Sequence, residues 1–244
     1  LRVLGSSDEP DVQLAMEVLG SWDLRATADS AAACLYYPFL DRFWPRKFMH
    51  AALQDDLIKL LPAAAPGLNR FDIASFMQPG SPWAPHAELL NQTICAEMAG
   101  VVMRVKQSLG DDPQRWRWGD LHQVAFAHRL QEHPAWAAMT VGPDEIGGSA
   151  TTLGMAMHIG KGPGDAANGS GEIACRVYHG PAYRLVVDLG DTSRARFVIA
   201  GGNGGRASSP LATNHYPIWL TGEYFTLQLR RDEIDEIETW TFTD

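Results

Sequence analysis

The sequence predicts an α+β fold, with helices in the first half of the chain and strands in the second. Apolar residues recur at helical spacing before residue 110, whereas short apolar runs bounded by Gly and Asp follow residue 147. These short runs look like hairpin strands, which disfavours a doubly wound sheet with βαβ crossovers. The 244 residues therefore divide into a mainly helical region, 1–115, and a mainly β region, 116–244.

The helical region begins with a start signal at Ser7, which is followed by Asp8, Glu9 and Pro10. The first helix should end at Gly20. A second helix is predicted from about Asp29 to Tyr36, stopping before Pro38 because proline breaks a helix interior.

A third helix is predicted over 46–61, and the Pro- and Gly-rich stretch 61–85 that follows it is typical of a loop. The strongest helical pattern runs from His86 to Leu109. Its apolar positions recur on one face: Leu90, Ile94, Met98, Val101, Val105 and Leu109.

Two strands are predicted over 184–189 and 196–200, joined by a turn at 190–193 into an antiparallel hairpin. A further strand-like run lies in the tail between Tyr224 and Phe242. The helices-then-strands order favours α+β, or a part of a layered αββα fold.

Composition excludes some classes of protein. The 20 basic and 29 acidic residues give a net charge of −9, which argues against a nucleic-acid partner. No apolar run approaches the roughly 20 residues that span a bilayer, so no membrane partner is predicted. Cys34, Cys95 and Cys175 are far apart and form no C-x-x-C pair, so a zinc site is disfavoured and packed, inert thiols are expected.

A glycine-rich motif follows the second strand of the predicted hairpin. Gly202, Gly204 and Ala207 match the dinucleotide pattern G-x-G-x-x-A. A dinucleotide site also needs a following helix and a parallel strand, and the sequence predicts neither. The alternative is an irregular turn in which several glycines adopt positive φ.

Other chemistry-bearing residues form no recognisable site. His122 and His128 are six apart, which fits no zinc motif, and His179 lies near a strand start. No G-x-S-x-G nucleophile elbow occurs. Trp116 and Trp118 alternate with arginines, and packing is a better explanation than base stacking on so acidic a chain. From the residues alone, no catalytic, cofactor-binding or metal-binding residue is predicted.

Several segments, in order, carry a family resemblance. They are Ser21-Trp22-Asp23 with Asp29-Ser30-Ala31-Ala32, Trp118-Gly119-Asp120-Leu121-His122 with Phe126-Ala127-His128, 147–151 (GGSAT), 180–189 (GPAYRLVVDL), 201–205 (GGNGG) with Ser209-Pro210, and Trp219 with Gly222-Glu223-Tyr224. Together they resemble the penicillin acylase family of N-terminal nucleophile hydrolases, in the C-terminal part of its large β chain. The resemblance covers roughly residues 15–230.

The chain departs from the family pattern at three places. Arg129 stands where the family usually has Pro, and Gly204 stands where it usually has Ser. Residues 211–214 (LATN) replace the family's H-Y-x-D. These departures leave the substrate subgroup open.

The resemblance implies a four-layer αββα sandwich to which this chain contributes C-terminal strands and helices, forming one structural unit with a companion chain. It also implies that the stretch 201–210 is a loop after a sheet strand, where glycines let backbones turn and approach closely. The family's nucleophile is a serine at the first residue of a chain released by autocatalytic cleavage, whose α-amino group serves as base. Residue 1 is Leu1, so the nucleophile is expected on a companion chain from the same precursor. No cofactor is expected in this chain, and any calcium would lie on the companion.

The implied activity is hydrolysis of the amide bond in small N-acyl substrates. Candidate substrates are β-lactam antibiotics, N-acyl-homoserine lactones and acyl-peptide side chains, and the expected location is the periplasm or the exterior of the cell. A different class remains open, a non-catalytic scaffold or binding module derived from the family. A nucleotide enzyme is a third alternative.

Overall fold

The computed structural model describes residues 3–41, 80, 84–137, 139–158, 173, 175–234 and 241. The helices in this part are α1 (Pro10–Gly20), α2 (Ala31–Asp41), α3 (Ala87–Leu109), α4 (Trp118–Leu121), α5 (Pro134–Ala137) and α6 (Tyr216–Leu220). The strands are β1 (Gln123–Phe126), β2 (Val141–Glu145), β3 (Met157–His158), β4 (Val177–His179), β5 (Tyr183–Val186), β6 (Arg196–Ile199) and β7 (Phe225–Thr226). The predicted α+β class is confirmed. The helix predicted over 46–61 and nearly all of the loop predicted after it lie outside the described residues.

The strands form a mixed and an antiparallel sheet. The mixed sheet has the order β2-β1-β4-β3, in which β1 pairs with β4 in parallel and β3 pairs with β4 antiparallel. The antiparallel sheet has the order β5-β6-β7. Within the described part of the chain, no helix is long and apolar enough to cross a membrane.

The chain forms two compact units. The first comprises Leu1–Val124 and Pro143–Gly180, and the second comprises Ala125–Gly142 and Pro181–Asp244. Each unit has its own buried residues and is described by itself below. The predicted division into a mainly helical region, 1–115, and a mainly β region, 116–244, stays a prediction. The same holds for the expectation that both regions form one structural unit with a companion chain.

The core of the first unit lies between α1, α2 and α3. α1 begins at Pro10, where the Glu9 carboxylate accepts the Val12 N–H at 2.7 Å, and it ends at Gly20 as predicted. α3 confirms the strongest helical pattern. Its inward face buries Leu90, Ile94, Met98, Val101, Val102 and Val105. Gly110, at φ 90°, then ends the helix.

The predicted end of the second helix is wrong, because α2 continues through Pro38 to Asp41. An interior proline costs a helix about 3 kcal/mol. On either side of it, Leu35, Tyr37 and Phe39 are all less than 9% exposed. Burying each such side chain contributes about 1.5–3 kcal/mol, so packing outweighs the break.

The predicted hairpin is confirmed as β5 and β6, with Leu185 opposite Phe197 and Arg184 opposite Val198. The turn between them is held by two aspartates. Asp188 Oδ1 accepts the Gly190 N–H at 2.9 Å, and Asp191 Oδ1 accepts the Ser193 N–H at 3.1 Å. Of the predicted tail strand, 225–226 form β7, while 235–240 and 242 lie outside the described residues.

Candidate functional site

Three segments that carry the family resemblance meet inside the first unit. The Gly119 N–H donates to the Ala28 carbonyl at 2.7 Å, and the Gly148 N–H donates to the Ala26 carbonyl at 2.6 Å. A Cβ on Gly147 would lie 2.6 Å from the Ala26 oxygen. The loop before α2 therefore runs directly against α4 and against residues 147–148, and a larger residue at 147 would push it away.

A buried cluster of rings lies beside this junction. Trp118 stacks on His122 with 4.5 Å between ring centroids and 13° between planes. His158 presents its edge to His122 at 4.9 Å and to Trp118 at 5.3 Å, and Tyr37 lies 5.3 Å from Trp118. Trp118 also donates its indole N–H to the Gly148 carbonyl at 3.0 Å. The predicted packing role of this tryptophan is confirmed.

His122 links two backbone segments from the centre of the cluster. Its Nδ1 lies 2.7 Å from the Ile146 carbonyl oxygen, and its Nε2 lies 3.1 Å from that of Ala156. The ring is completely buried. A neutral imidazole can donate to only one of these carbonyl oxygens at a time. Both ring nitrogens thus face backbone acceptors, a bracing role rather than that of a general base.

A cavity of about 330 Å³ opens between the end of α1 and the start of α2, also in the first unit. Its lining comprises one residue of α1, six residues of the first motif and two residues of a neighbouring turn: Val18, then Ser21, Trp22, Asp23, Ser30, Ala31 and Ala32, then Pro113 and Gln114. Ser21 donates its hydroxyl to the Val18 carbonyl at 3.1 Å, while Ser30 accepts the Ala33 N–H at 3.2 Å. Both hydroxyls therefore serve helix ends.

The second unit contains a separate junction of motif residues. Trp219 on α6 donates its indole N–H to the Pro181 carbonyl at 3.0 Å. The Arg184 guanidinium on β5 lies 5.3 Å from the centre of the Trp219 ring and 5.4 Å from that of Tyr224. Arg184 also donates to the Trp219 carbonyl. Burial lowers the pKa of Arg184 from its ordinary value.

The glycine-rich motif is a loop that folds back on itself. β6 is antiparallel to both of its neighbours, and bends and turns rather than a helix follow it, so the dinucleotide alternative fails. The expectation of positive φ is also wrong, because none of Gly201, Gly202, Gly204 and Gly205 adopts it. A Cβ on Gly202 would instead lie 2.2 Å from the Leu211 oxygen. Close backbone approach, not backbone conformation, requires glycine there.

His215 holds the end of this loop against β6. The Ile199 N–H donates to His215 Nδ1 at 3.4 Å, and the Asn203 side-chain nitrogen lies 3.0 Å from His215 Nε2. The ring is only 3% exposed and lies 4.4 Å from Phe225. Burial lowers the pKa of His215, so the neutral form predominates at pH 7.

The other residues singled out in the sequence have local roles. His128 stacks on Trp136 at 4.7 Å and accepts the Leu130 N–H, and His179 is exposed on β4. Trp116 is buried and donates to the Gly110 carbonyl at 2.7 Å. The packed-thiol interpretation is confirmed for Cys34 and Cys175, while Cys95 is partly buried.

Sequence reasoning missed several of the buried polar contacts. His158 lies beside His122 although 36 positions separate them, and no local motif marks that pairing. Asn203 and His215 sit at the two ends of the glycine loop, so their contact appears only once the loop has folded back. In the part of the chain that the structure describes, no group of three His, Cys, Asp or Glu side chains is arranged to hold a metal ion. The prediction that this chain carries no catalytic residue stays a prediction.

Comparison with known proteins confirms the family resemblance that these motif residues carry. The chain belongs to the penicillin amidase family, whose model matches residues 2–236. It is similar to the acyl-homoserine lactone acylase QuiP of Pseudomonas syringae pv. tomato, with 24% identity over 97% of this chain and 28% of that protein. The same-named acylase of Pseudomonas aeruginosa is 24% identical over 91% of this chain and 28% of its own length. The chain therefore spans somewhat over a quarter of the length of these relatives.

Proposed function

We propose that this chain is the C-terminal part of an acylase that hydrolyses the amide bond of N-acyl-homoserine lactones. The observation that carries the proposal is the family match over residues 2–236, together with relatives named as acyl-homoserine lactone acylases. β-Lactam antibiotics and acylated peptides are the other substrates that contain a comparable amide.

In this proposal the reaction runs on a companion chain from the same precursor. The oxygen of its N-terminal serine attacks the amide carbonyl carbon, and the α-amino group accepts the serine proton. The carbon–nitrogen bond then breaks, the amine leaves with that proton, and water hydrolyses the acyl ester to the free acid. Any calcium would be held by the companion, and the complex would work in the periplasm or outside the cell.

The proposed role of this chain is to complete the αββα sandwich around that site. The buried polar groups support such a role: His122 and His215 brace the backbone, and Trp118 and Trp219 donate to carbonyl oxygens. The exposed apolar side chains of β5 support a companion. Tyr183, Leu185 and Val186 are 52%, 47% and 56% exposed. β5 also lies at the edge of the sheet formed by the described strands.

The test is to express the complete precursor and assay the purified complex with N-acyl-homoserine lactones of increasing acyl length. Release of the free homoserine lactone amine is the expected result, with benzylpenicillin and an acylated peptide as competing substrates. Native mass spectrometry should find this chain together with a chain that begins with Ser.

Two results would contradict the proposal. Full activity from this chain alone would place the nucleophile within it. A stable species containing only this chain, with no activity in the expressed precursor, would support the scaffold or binding module instead.

A further inference from the structure

Arg184 lies in an unusual setting within the second unit. Its guanidinium contacts the rings of Trp219 and Tyr224, and one of its N–H groups donates to the Trp219 carbonyl. Its Nε is buried and has no acceptor among the described residues. The residue as a whole is partly exposed.

The charge of Arg184 has no carboxylate partner in the described part of the chain. Other arginines do have one: Arg117 lies 2.6 Å from Glu145, Arg194 3.4 Å from Asp188, and Arg230 2.8 Å from Asp232. Arginine stays protonated even where burial lowers its pKa, so Arg184 presents an uncompensated positive charge. Aromatic faces offset only part of that charge, which leaves a carboxylate as the complementary ligand.

The surroundings of Arg184 resemble a protein interface more than a pocket for a small ion. Leu185, Val186 and Val187 follow it directly and are 47%, 56% and 38% exposed. Arginine and aromatic residues are enriched at the centres of interfaces, where exposed apolar neighbours become buried on binding. β5, as an edge strand of the described sheet, can also pair its backbone with an extended segment.

We propose that Arg184, held between Trp219 and Tyr224, binds an Asp or Glu carboxylate on an extended segment of the companion chain that docks along β5. The partner in this inference rests on the proposed function, while the carboxylate site itself rests on the contacts of Arg184. The apolar side chains of β5 bury against the docked segment, and the carboxylate sets its register.

The first experiment measures carboxylate binding to the 244-residue chain. Sodium acetate and sodium chloride are titrated at equal ionic strength while the Arg184 Nε–H resonance is followed by NMR. A saturable shift with acetate and none with chloride is expected. Equal shifts with the two salts would overturn the carboxylate site.

Two variants locate the binding. Arg184→Lys keeps the charge but loses the planar guanidinium and its Nε–H, so binding is followed in all variants at the indole N–H of Trp219, the ring that Arg184 contacts. This variant should weaken acetate binding on the order of tenfold. Arg196→Lys is the matched control, because Arg196 is an exposed arginine on the neighbouring strand, opposite Val186. It should leave acetate binding unchanged. An equal loss in both variants would show that acetate has no preference for the Arg184 guanidinium and would overturn the proposal.

The second experiment distinguishes a docked segment from a free carboxylate. Two blocked pentapeptides, Thr-Val-Glu-Val-Thr and Thr-Val-Gln-Val-Thr, are compared with acetate. The Glu peptide should bind more tightly than acetate, and on the order of tenfold more tightly than the Gln peptide. Equal binding of the two peptides would overturn the proposal. Acetate binding without any gain for the Glu peptide would overturn the docked segment and assign the site to a free carboxylate.

These measurements need no catalysis, so they fail independently of the proposed function. An active complex without carboxylate binding at Arg184 would overturn this inference and leave the proposed function intact. Carboxylate binding together with an inactive complex would sink only the acylase assignment.

Discussion

The helical core of the first unit and the small sheet of the second differ in how completely they bury their apolar residues. In α3, Val101, Val102 and Val105 are fully buried. In β5, Leu185 and Val186 remain about half exposed. The helices cover one another within this chain, whereas the sheet leaves a face of apolar side chains uncovered. The core of the first unit is therefore complete within this chain, whereas the sheet of the second unit leaves apolar side chains exposed.

The largest effect on stability is expected from removing a buried aromatic ring from the core of the first unit. Trp118→Ala should lower the free energy of unfolding by about 3–5 kcal/mol, because it deletes the ring stacked on His122 and the donor to Gly148. Urea unfolding followed by circular dichroism measures the loss. Trp136→Ala, the same change at a partly exposed ring, should cost clearly less. Equal losses at the two positions would contradict the assigned core.

A second test asks whether the glycine loop of the second unit is itself tightly packed. Gly202→Ala should destabilise the chain by about 1–3 kcal/mol, because the new methyl group would lie 2.2 Å from the Leu211 oxygen. Gly205→Ala is the matched control, since a Cβ there meets nothing within 4 Å, and it should stay within about 0.5 kcal/mol. Urea midpoints of both variants provide the comparison. A Gly202→Ala variant as stable as the control would show that the loop can move enough to accommodate the added methyl group.

A third test uses pH to loosen the same loop. Burial lowers the pKa of folded His215 below its unfolded value near 6.5, so the unfolded state binds the proton more readily. The contribution of His215 to stability is present above pH 6.5 and is lost as the pH falls toward the lower folded pKa. Protonation of Nδ1 also removes the acceptor for the Ile199 N–H.

The measurement for His215 compares wild type with His215→Gln in urea at pH 7.5, 6.5, 5.5 and 4.5. The stability advantage of wild type should shrink on acidification. An advantage that stays constant or grows as the pH falls would refute the neutral, hydrogen-bonded ring.

The smallest effect on stability is expected from a change among the exposed apolar side chains of β5. Leu185→Ala should change the stability of the isolated chain by less than about 1 kcal/mol, because the side chain is already half exposed. In the complex proposed above, the same change should weaken the association of the chains. Native mass spectrometry at decreasing concentration measures that loss. A large loss in the isolated chain, or none in the complex, would remove β5 from the interface.

Much of the secondary structure could be predicted from local pattern. The face of α3 and the hairpin of β5 and β6 follow from residue spacing and turn residues, which act over short distances. The second helix could not be predicted in full, since the aromatic burial that carries α2 through Pro38 depends on packing against other elements. The candidate sites were the least predictable part, because Arg184 meets Trp219 and Tyr224 across 35 and 40 positions.

The sequence by itself determined the family, the α+β class and the segments that matter, because helical spacing and short motifs are properties of neighbouring residues. Only the tertiary structure decided what those segments do. Gly202 is required by the approach of Leu211 rather than by its own φ, and His122 is a brace between two carbonyls rather than a free base. The physical reason is the same for both residues. Contact distances and hydrogen-bond partners are set by residues far away in the chain, and they exist only once the chain has folded.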